Sequence, residues 1–209
     1  MLYPVKIPWI IKKWLYPDYC WGMPSTEKKI YLSFDDGPHP QATPFVLDTL
    51  KQYHAKASFF CIGKNVAEFP ELYKGILLDG HTVGNHTQDH LNGWKTKDSQ
   101  YFENIREASK YIDSKLFRPP YGKITRFQAK QIREKMGMQI VMWSVLSADF
   151  DIRIRPEQCL KNVVENAGNG SIIVFHDSAK AFERMAYALP AVLDFYSKKG
   201  YQFCAITSN

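Results

Sequence analysis

Ile30-Tyr31-Leu32-Ser33-Phe34 is a short β-rich run, and it stops on Asp35-Asp36-Gly37-Pro38. Two acids and a turn at a strand's end are what a parallel sheet places along its carboxyl edge, where ligands and substrates collect. Working outward, residues 43–53 carry apolar side chains at 46, 47 and 50, a helical spacing, with Thr43 as the expected N-cap before Pro44. Residues 56–62 read as a second strand, 66–78 as a helix closed by Gly80, and 81–84 as a short strand. The longest helical stretch is 98–116, and Phe117 leads into Arg118-Pro119-Pro120-Tyr121. Then come a helix over 125–135, an apolar strand over 139–145, a helix over 156–166, a buried strand over 171–175, a helix over 181–196 and a last strand over 201–206. Strands alternating with helices predict βαβ units: an α/β fold of about seven parallel strands. At 209 residues the chain is short of the ~250 of a full eight-fold barrel, so a smaller, incomplete (β/α) barrel is expected.

Composition sets the class. The chain is 45% hydrophobic and 23% charged, the make-up of an ordinary globular domain. A formal charge of +6 is too small to indicate nucleic acid, and no nucleic-acid partner is expected. The four cysteines form no CxxC pair, which argues against a zinc knuckle. Cys61 and Cys204 sit in apolar runs and read as small buried hydrophobes. No Gly-x-Ser-x-Gly elbow occurs, which argues against a serine hydrolase.

Residues 1–27 read as an N-terminal basic and aromatic strap ahead of a domain over 28–209. The segment holds Trp9, Trp14 and Trp21, with no acid before Asp18. Its longest apolar run is shorter than a signal h-region, so no secretory signal is evident. The expectation is a cytoplasmic or peripherally membrane-associated protein whose strap packs on the domain or touches a membrane surface.

The reactive groups fall at strand ends. Asp35-Asp36 follows the first strand, His86 to His90 the third, Arg118 the fourth, Asp149 the fifth and His176 the sixth. His86 and His90 are four apart, so on a helical turn both imidazoles would share one side and one metal. A carboxylate from elsewhere would complete a two-histidine, one-acid site with a position open to water. Asp35 and Asp36, adjacent on an extended chain, would point opposite ways, one to a metal and one to substrate. His39, His54 and His81 fall outside this pattern and read as structural. Asp89 and Asp177 read as supporting or solvent-facing groups.

Taken in order, Ser33-Phe34-Asp35-Asp36-Gly37, His86-Thr87-x-x-His90, Arg118-Pro119-Pro120-Tyr121-Gly122, residues 143–150 and Ile173-Val174-Phe175-His176 resemble the five motifs of the polysaccharide deacetylases, carbohydrate esterase family 4. The resemblance covers roughly residues 28–207. It implies a distorted, incomplete (β/α) barrel and a metal-dependent hydrolase that removes acetyl groups from peptidoglycan, chitooligosaccharide or a related amino-sugar glycan. It implies one divalent ion, Zn2+ foremost with Co2+, Ni2+ or Mn2+ as substitutes, on Asp36, His86 and His90. Asp35 would be the general base, Arg118 its ion-pair partner, His176 the general acid and Asp149 the group that raises the His176 pKa. The backbone N–H of Tyr121 would meet the oxyanion, and Trp143, Val174 and Pro119 would line the substrate site. The chain departs from the pattern at Leu146, where the family usually has an acid, at Phe150, where it has tryptophan, and at Val174, where leucine is frequent. Those departures keep two alternatives open: a non-catalytic carbohydrate-binding relative, and an O-acetyl esterase acting on a xylan-like glycan.

Overall fold

The structure, a computed structural model, describes residues 4–24 and 26–208. The first three residues of the strap, Ser25 and Asn209 lie outside the described residues. Eight strands and seven α-helices alternate: β1 (Lys29–Asp35), α1 (Ala42–Gln52), β2 (Ala57–Cys61), α2 (Gly63–Glu68), α3 (Pro70–Leu78), β3 (Thr82–Asn85), α4 (Asp98–Ala108), β4 (Leu116–Phe117), α5 (Arg126–Lys135), β5 (Gln139–Ile140), β6 (Val145–Leu146), α6 (Pro156–Val164), β7 (Ile172–His176), α7 (Phe182–Lys198) and β8 (Gln202–Phe203). The strands lie in the order β5-β4-β3-β2-β1-β7-β6, all neighbours parallel, with β8 pairing the first residues of β1. Seven parallel strands thus form a curled, incomplete (β/α) barrel wrapped by helices.

Strict alternation sorts the β1 side chains. Ile30, Leu32 and Phe34 face outward into the main core, where they meet Phe59 and Phe175 beneath the helices. Fully burying a side chain such as Phe34 contributes about 1.5–3 kcal/mol. Tyr31 faces inward with Phe60, Leu116, Val141 and Ile172, which fill the barrel interior. Ser33 and Asp35 follow on that inner face, nearer the carboxyl ends of the strands. Both faces of the sheet are therefore covered, as parallel sheets require.

Four boundaries depart from the sequence reading, each for a physical reason. The strand expected over 139–145 is broken into β5 and β6, because the Val141 and Met142 carbonyls accept from the Arg118 guanidinium instead of a neighbouring strand. The helix expected over 66–78 divides at Phe69, where Pro70 keeps the residue before it out of the helical conformation (φ −124°, ψ 59°) and starts α3. The long helix expected over 98–116 ends at Ala108; Ser114 bonds the Val83 carbonyl, and Leu116 is already in β4. Thr43 does not cap α1 but sits in its first turn, its hydroxyl committed to Asp177.

Residues 4–24 cross the break between β5 and β6. Ile7 N–H donates to Ser144 O at 3.0 Å and Leu146 N–H to Val5 O at 2.8 Å. Cys20 exchanges two bonds with Ile140 and Met142, at 2.8 and 2.7 Å. Edge groups that the incomplete barrel would leave unpaired are satisfied in this way. The four cysteines are free thiols, and Cys61 and Cys159 are buried. Among the described residues no helix is long and apolar enough to cross a membrane.

Candidate active site and metal centre

The loops at the carboxyl end of the barrel carry the backbone strain of this fold. Among the described residues six that are not glycine have positive φ, and all but His54 lie in the candidate motifs: Asp36, Thr87, His90, Tyr121 and Ala148. Such conformations cost of order 1–3 kcal/mol each and persist where the surroundings impose them, most often at functional sites.

Asp36 follows β1, and His86 and His90 follow β3. The two histidines are not on a helical turn, as their spacing suggested. They lie in a loop whose left-handed residues, Thr87 (φ 65°) and His90 (φ 57°), fold it back on itself. Thr87 N–H donates to Asn85 Oδ1, and Gly63 and Lys64 donate their N–H groups to the Thr87 and Gln88 carbonyls. One ligand atom from each of Asp36, His86 and His90 lies within 4.8 Å of the others.

The chemistry of those atoms fits a cation. His86 Nδ1 is 2.7 Å from the Arg118 carbonyl, which can only accept, so Nδ1 carries the proton and Nε2 presents a lone pair. Burial is the chief reason that the His86 pKa falls to about 4, only partly offset by Asp35, so the ring is neutral at pH 7. Its Nε2 lies 3.7 Å from Asp36 Oδ1, and His90 Nε2 lies 3.2 Å from the same oxygen. Asp36 Oδ1 is buried and receives no aligned hydrogen bond. Burial opposes its ionisation, but His90, His176 and His86 outweigh burial and hold the carboxyl below its usual range. A buried lone pair such as that of His86 Nε2, facing a carboxylate oxygen with no proton between them, is costly unless a positive ion joins the two. Two nitrogens and one carboxylate oxygen are a donor set that suits zinc.

Beside this trio, Asp35 and Arg118 form a buried pair. Arg118 Nη1 donates to Asp35 Oδ1 at 2.6 Å and to Ser33 Oγ at 2.9 Å. Nε and Nη2 donate to the Val141 and Met142 carbonyls, and the Phe60 ring lies 3.9 Å from the guanidinium. Burial lowers the Arg118 pKa, opposed by Asp35. With its carbonyl on His86, Arg118 ties the carboxylate to the ligand loop.

A second pair stands opposite, across β1 from β2. His176, at the end of β7, is paired in register with Asp35. Its Nδ1 is 2.7 Å from Asp149 Oδ1, which leaves Nε2 as the nitrogen free to face the cleft. Burial pulls the His176 pKa down, but Asp149 chiefly, with Asp36 and Asp35, lifts it to about 10. Phe150 packs edge-on against the imidazole at 5.3 Å.

Of the remaining candidates, Tyr121 is exposed and its hydroxyl lies 3.1 Å from His90 Nδ1. Pro119 is buried behind it. Trp143 is half-buried under Gly122 and close to Arg118, and its indole N–H is buried without a partner. Val174 is buried on the inner face, two residues before His176 and in register with Leu146. His39 caps the start of α1, and His81 accepts from Ala57 N–H below the site.

Of the residues that hold the site, the sequence reading takes Asp177 as supporting or solvent-facing and does not name Asn65 or Arg184. Asp177 is fully buried, not solvent-facing. Its Oδ1 accepts Gly37 N–H at 3.1 Å and its Oδ2 accepts the Thr43 hydroxyl at 2.5 Å. Burial raises its pKa to about 8, with Asp36 adding to the lift and Thr43 opposing it. Asn65 donates to the Asp36 carbonyl at 2.7 Å, and Arg184 to the Asp149 carbonyl at 2.6 Å. The position of Asp177 beside His176 was the one available signal; Asn65 and Arg184 sit on helices far along the chain and gave none.

Comparison with known proteins adds the family. The family model described as polysaccharide deacetylase matches residues 22–141. The chain belongs to the polysaccharide deacetylase family. Members of this family are hydrolases, and this polysaccharide deacetylase is 37% identical over 193 residues to a peptidoglycan-N-acetylglucosamine deacetylase of Bacillus cereus, covering 90% of each chain. It is 37% identical over 158 residues to a chitooligosaccharide deacetylase of Azorhizobium caulinodans, covering 72% of this chain and 74% of the relative. Its fold superposes with a TM-score of 0.86 on the crystal structure of the Bc1960 peptidoglycan N-acetylglucosamine deacetylase in complex with 4-naphthalen-1-yl-N-oxidanyl-benzamide, at 31% identity, covering 96% of this chain and 95% of that one.

Proposed function

We propose that this polysaccharide deacetylase hydrolyses the N-acetyl group of an N-acetylglucosamine glycan, peptidoglycan or a chitooligosaccharide, with one divalent metal, Zn2+ first, held by Asp36, His86 and His90. The carrying observation is the convergence of those three ligand atoms between two buried pairs, Asp35 with Arg118 and His176 with Asp149. The substrates named for the Bacillus and Azorhizobium relatives support the amino-sugar class.

When bound, the metal would polarise the acetyl carbonyl and lower the pKa of water towards ~7. Asp35, oriented by Arg118, accepts the proton of the attacking water as its oxygen joins the carbonyl carbon. The Tyr121 N–H serves as a donor to the oxygen of the tetrahedral carbon; one such donor is worth about 10²–10³ in rate. As the C–N bond breaks, His176 passes its Nε2 proton to the departing amine, and acetate and the free amino sugar result. Protonated His176 suits that task at neutral pH because Asp149 holds its Nδ1 side. Trp143, Val174 and Pro119 form the wall around the acetyl group.

The test is acetate release from chitopentaose and from peptidoglycan fragments, after loading with zinc, cobalt, nickel or manganese, with His86→Ala as control. Release should depend on metal and fall at least a hundredfold in the control, and a benzamide hydroxamate should inhibit it. Absence of release from every acetylated amino sugar, with each metal in turn, would sink the reading.

A further inference from the structure

The strap does something more than close the edges of the sheet. It is pinned at both ends, at Val5 and Ile7 on one side of the break and at Cys20 on the other. The return leg packs down: Tyr16, Tyr19 and Trp21 stack in sequence, Tyr19 and Trp21 lie against the core, and the Trp21 indole N–H bonds the Tyr16 carbonyl. The crest between the anchors turns outward. A short helical turn, Ile11–Leu15, follows Trp9 and Ile10, and there Trp9 is 63% exposed and Trp14 69% exposed, with Ile10 and Leu15 open beside them. Two of the chain's five tryptophans are thus spent on the surface of this one short crest. Clustered large apolar side chains of this kind mark a contact surface, whereas single ones need no account.

Charge narrows the partner. Lys6, Lys12 and Lys13 flank the crest, and among the described residues none of them is in an ion pair. Asp18, the sole acid in residues 4–24, is already neutralised by Arg133 at 2.7 Å. Lys12 is pulled below its usual pKa chiefly by burial, with Lys6 adding to the fall. A soluble polyanion would match the lysines and could stack bases or sugars on the indoles, but it would gain nothing from an isoleucine and a leucine. The interface of an anionic bilayer takes both: headgroups for the ammonium groups and the acyl boundary for indole rings.

We infer that the crest over residues 6–15 docks this protein on the surface of an anionic phospholipid bilayer, with Trp9 and Trp14 inserted and Lys6 and Lys13 on the headgroups. The inference is independent of the reaction assigned to the barrel.

Co-sedimentation of the full chain with vesicles tests it. Vesicles of phosphatidylcholine mixed with phosphatidylglycerol should bind the chain roughly tenfold or more better than phosphatidylcholine alone, and binding should weaken with salt. Trp9→Ser with Trp14→Ser should lower partition about tenfold with the unfolding midpoint unchanged. Lys6→Gln with Lys13→Gln should remove most of the preference for anionic lipid. Quenching by brominated lipid reads the same contact in the unsubstituted chain, should a variant fold poorly. Failure to bind the mixed vesicles overturns the inference. So does binding indifferent to the tryptophans, or capture by heparin or peptidoglycan sacculi that is as tight and needs the same tryptophans.

Discussion

Asp149 holds His176 at two points: Oδ1 takes the ring Nδ1 at 2.7 Å, and Oδ2 takes the backbone N–H of the same residue at 2.7 Å. The carboxylate therefore fixes both the place and the tilt of the imidazole, and its charge raises the ring's pKa to about 10.

In the proposed reaction the amine leaves with a proton from His176, so the alkaline limb of kcat/KM is the measurement that tests this arrangement. Activity should fall as pH rises through the His176 pKa, and Asp149→Asn should move that limb down towards the ordinary histidine value of ~6.5 and lower kcat by about 10²–10⁴. The stability linkage has the same sign. A raised histidine pKa stabilises the fold fully below ~6.5, and that contribution is lost as pH rises towards 10. NMR titration of the metal-free protein reads His176 directly, and a divalent ion on Asp36 should lower its value by cancelling the Asp36 charge.

Arg118 is wholly enclosed, and its four side-chain bonds join Asp35, Ser33 and two carbonyls. Arg118→Met should destabilise by about 3–5 kcal/mol, since it strands a buried carboxylate. Arg118→Met with Asp35→Asn should recover part of that loss. Urea unfolding of the two variants measures the difference; equal losses would exclude the stranded charge as the cause.

Gly37 has no room for a side chain. A Cβ there would come 2.0 Å from Asp177 Oδ2. Gly37→Ala should cost about 1–3 kcal/mol and, by shifting the neighbouring Asp36, weaken metal binding measured by calorimetry. Asp177→Ala on the same background should relieve the clash but not restore the lost hydrogen bond to residue 37.

Acid should weaken the fold through its neutral histidines. Burial is the main cause that holds His81 and His86 to about 4. The unfolded chain binds those protons first, so stability present above ~6.5 is lost as pH falls towards 4. Denaturant midpoints at pH 7 and pH 5 check this in the metal-free chain, and His81→Asn should reduce the slope.

The sheet and its reactive edge were legible because five strand ends carry a polar group that an apolar run does not need. Asp35, His86, Arg118, Asp149 and His176 stand at the ends of β1, β3, β4, β6 and β7, and the structure gathers all five in one cleft. Local spacing misled where a distant group competes for the backbone. Arg118 takes the carbonyls that would have continued one strand from 139 to 145, and left-handed residues, not a helical turn, aim His86 and His90. Side-chain supports such as Asn65 and Arg184 were invisible for the same reason: their partners lie at remote positions that only the folded topology brings near.

The central place of β1 in the sheet has a consequence for the order in which the molecule is assembled. One flank of β1 joins β2 and β3 by successive local units, and that flank already holds Asp36, His86 and His90. The other flank waits for β7, whose bonds to β1 span 140 residues of chain. Contacts of such long range close late, since the loop entropy must be met before they gain anything. Asp36, His86 and His90 thus belong to the half of the sheet built from local units, while His176 reaches them only with the long-range pairing of β7 to β1.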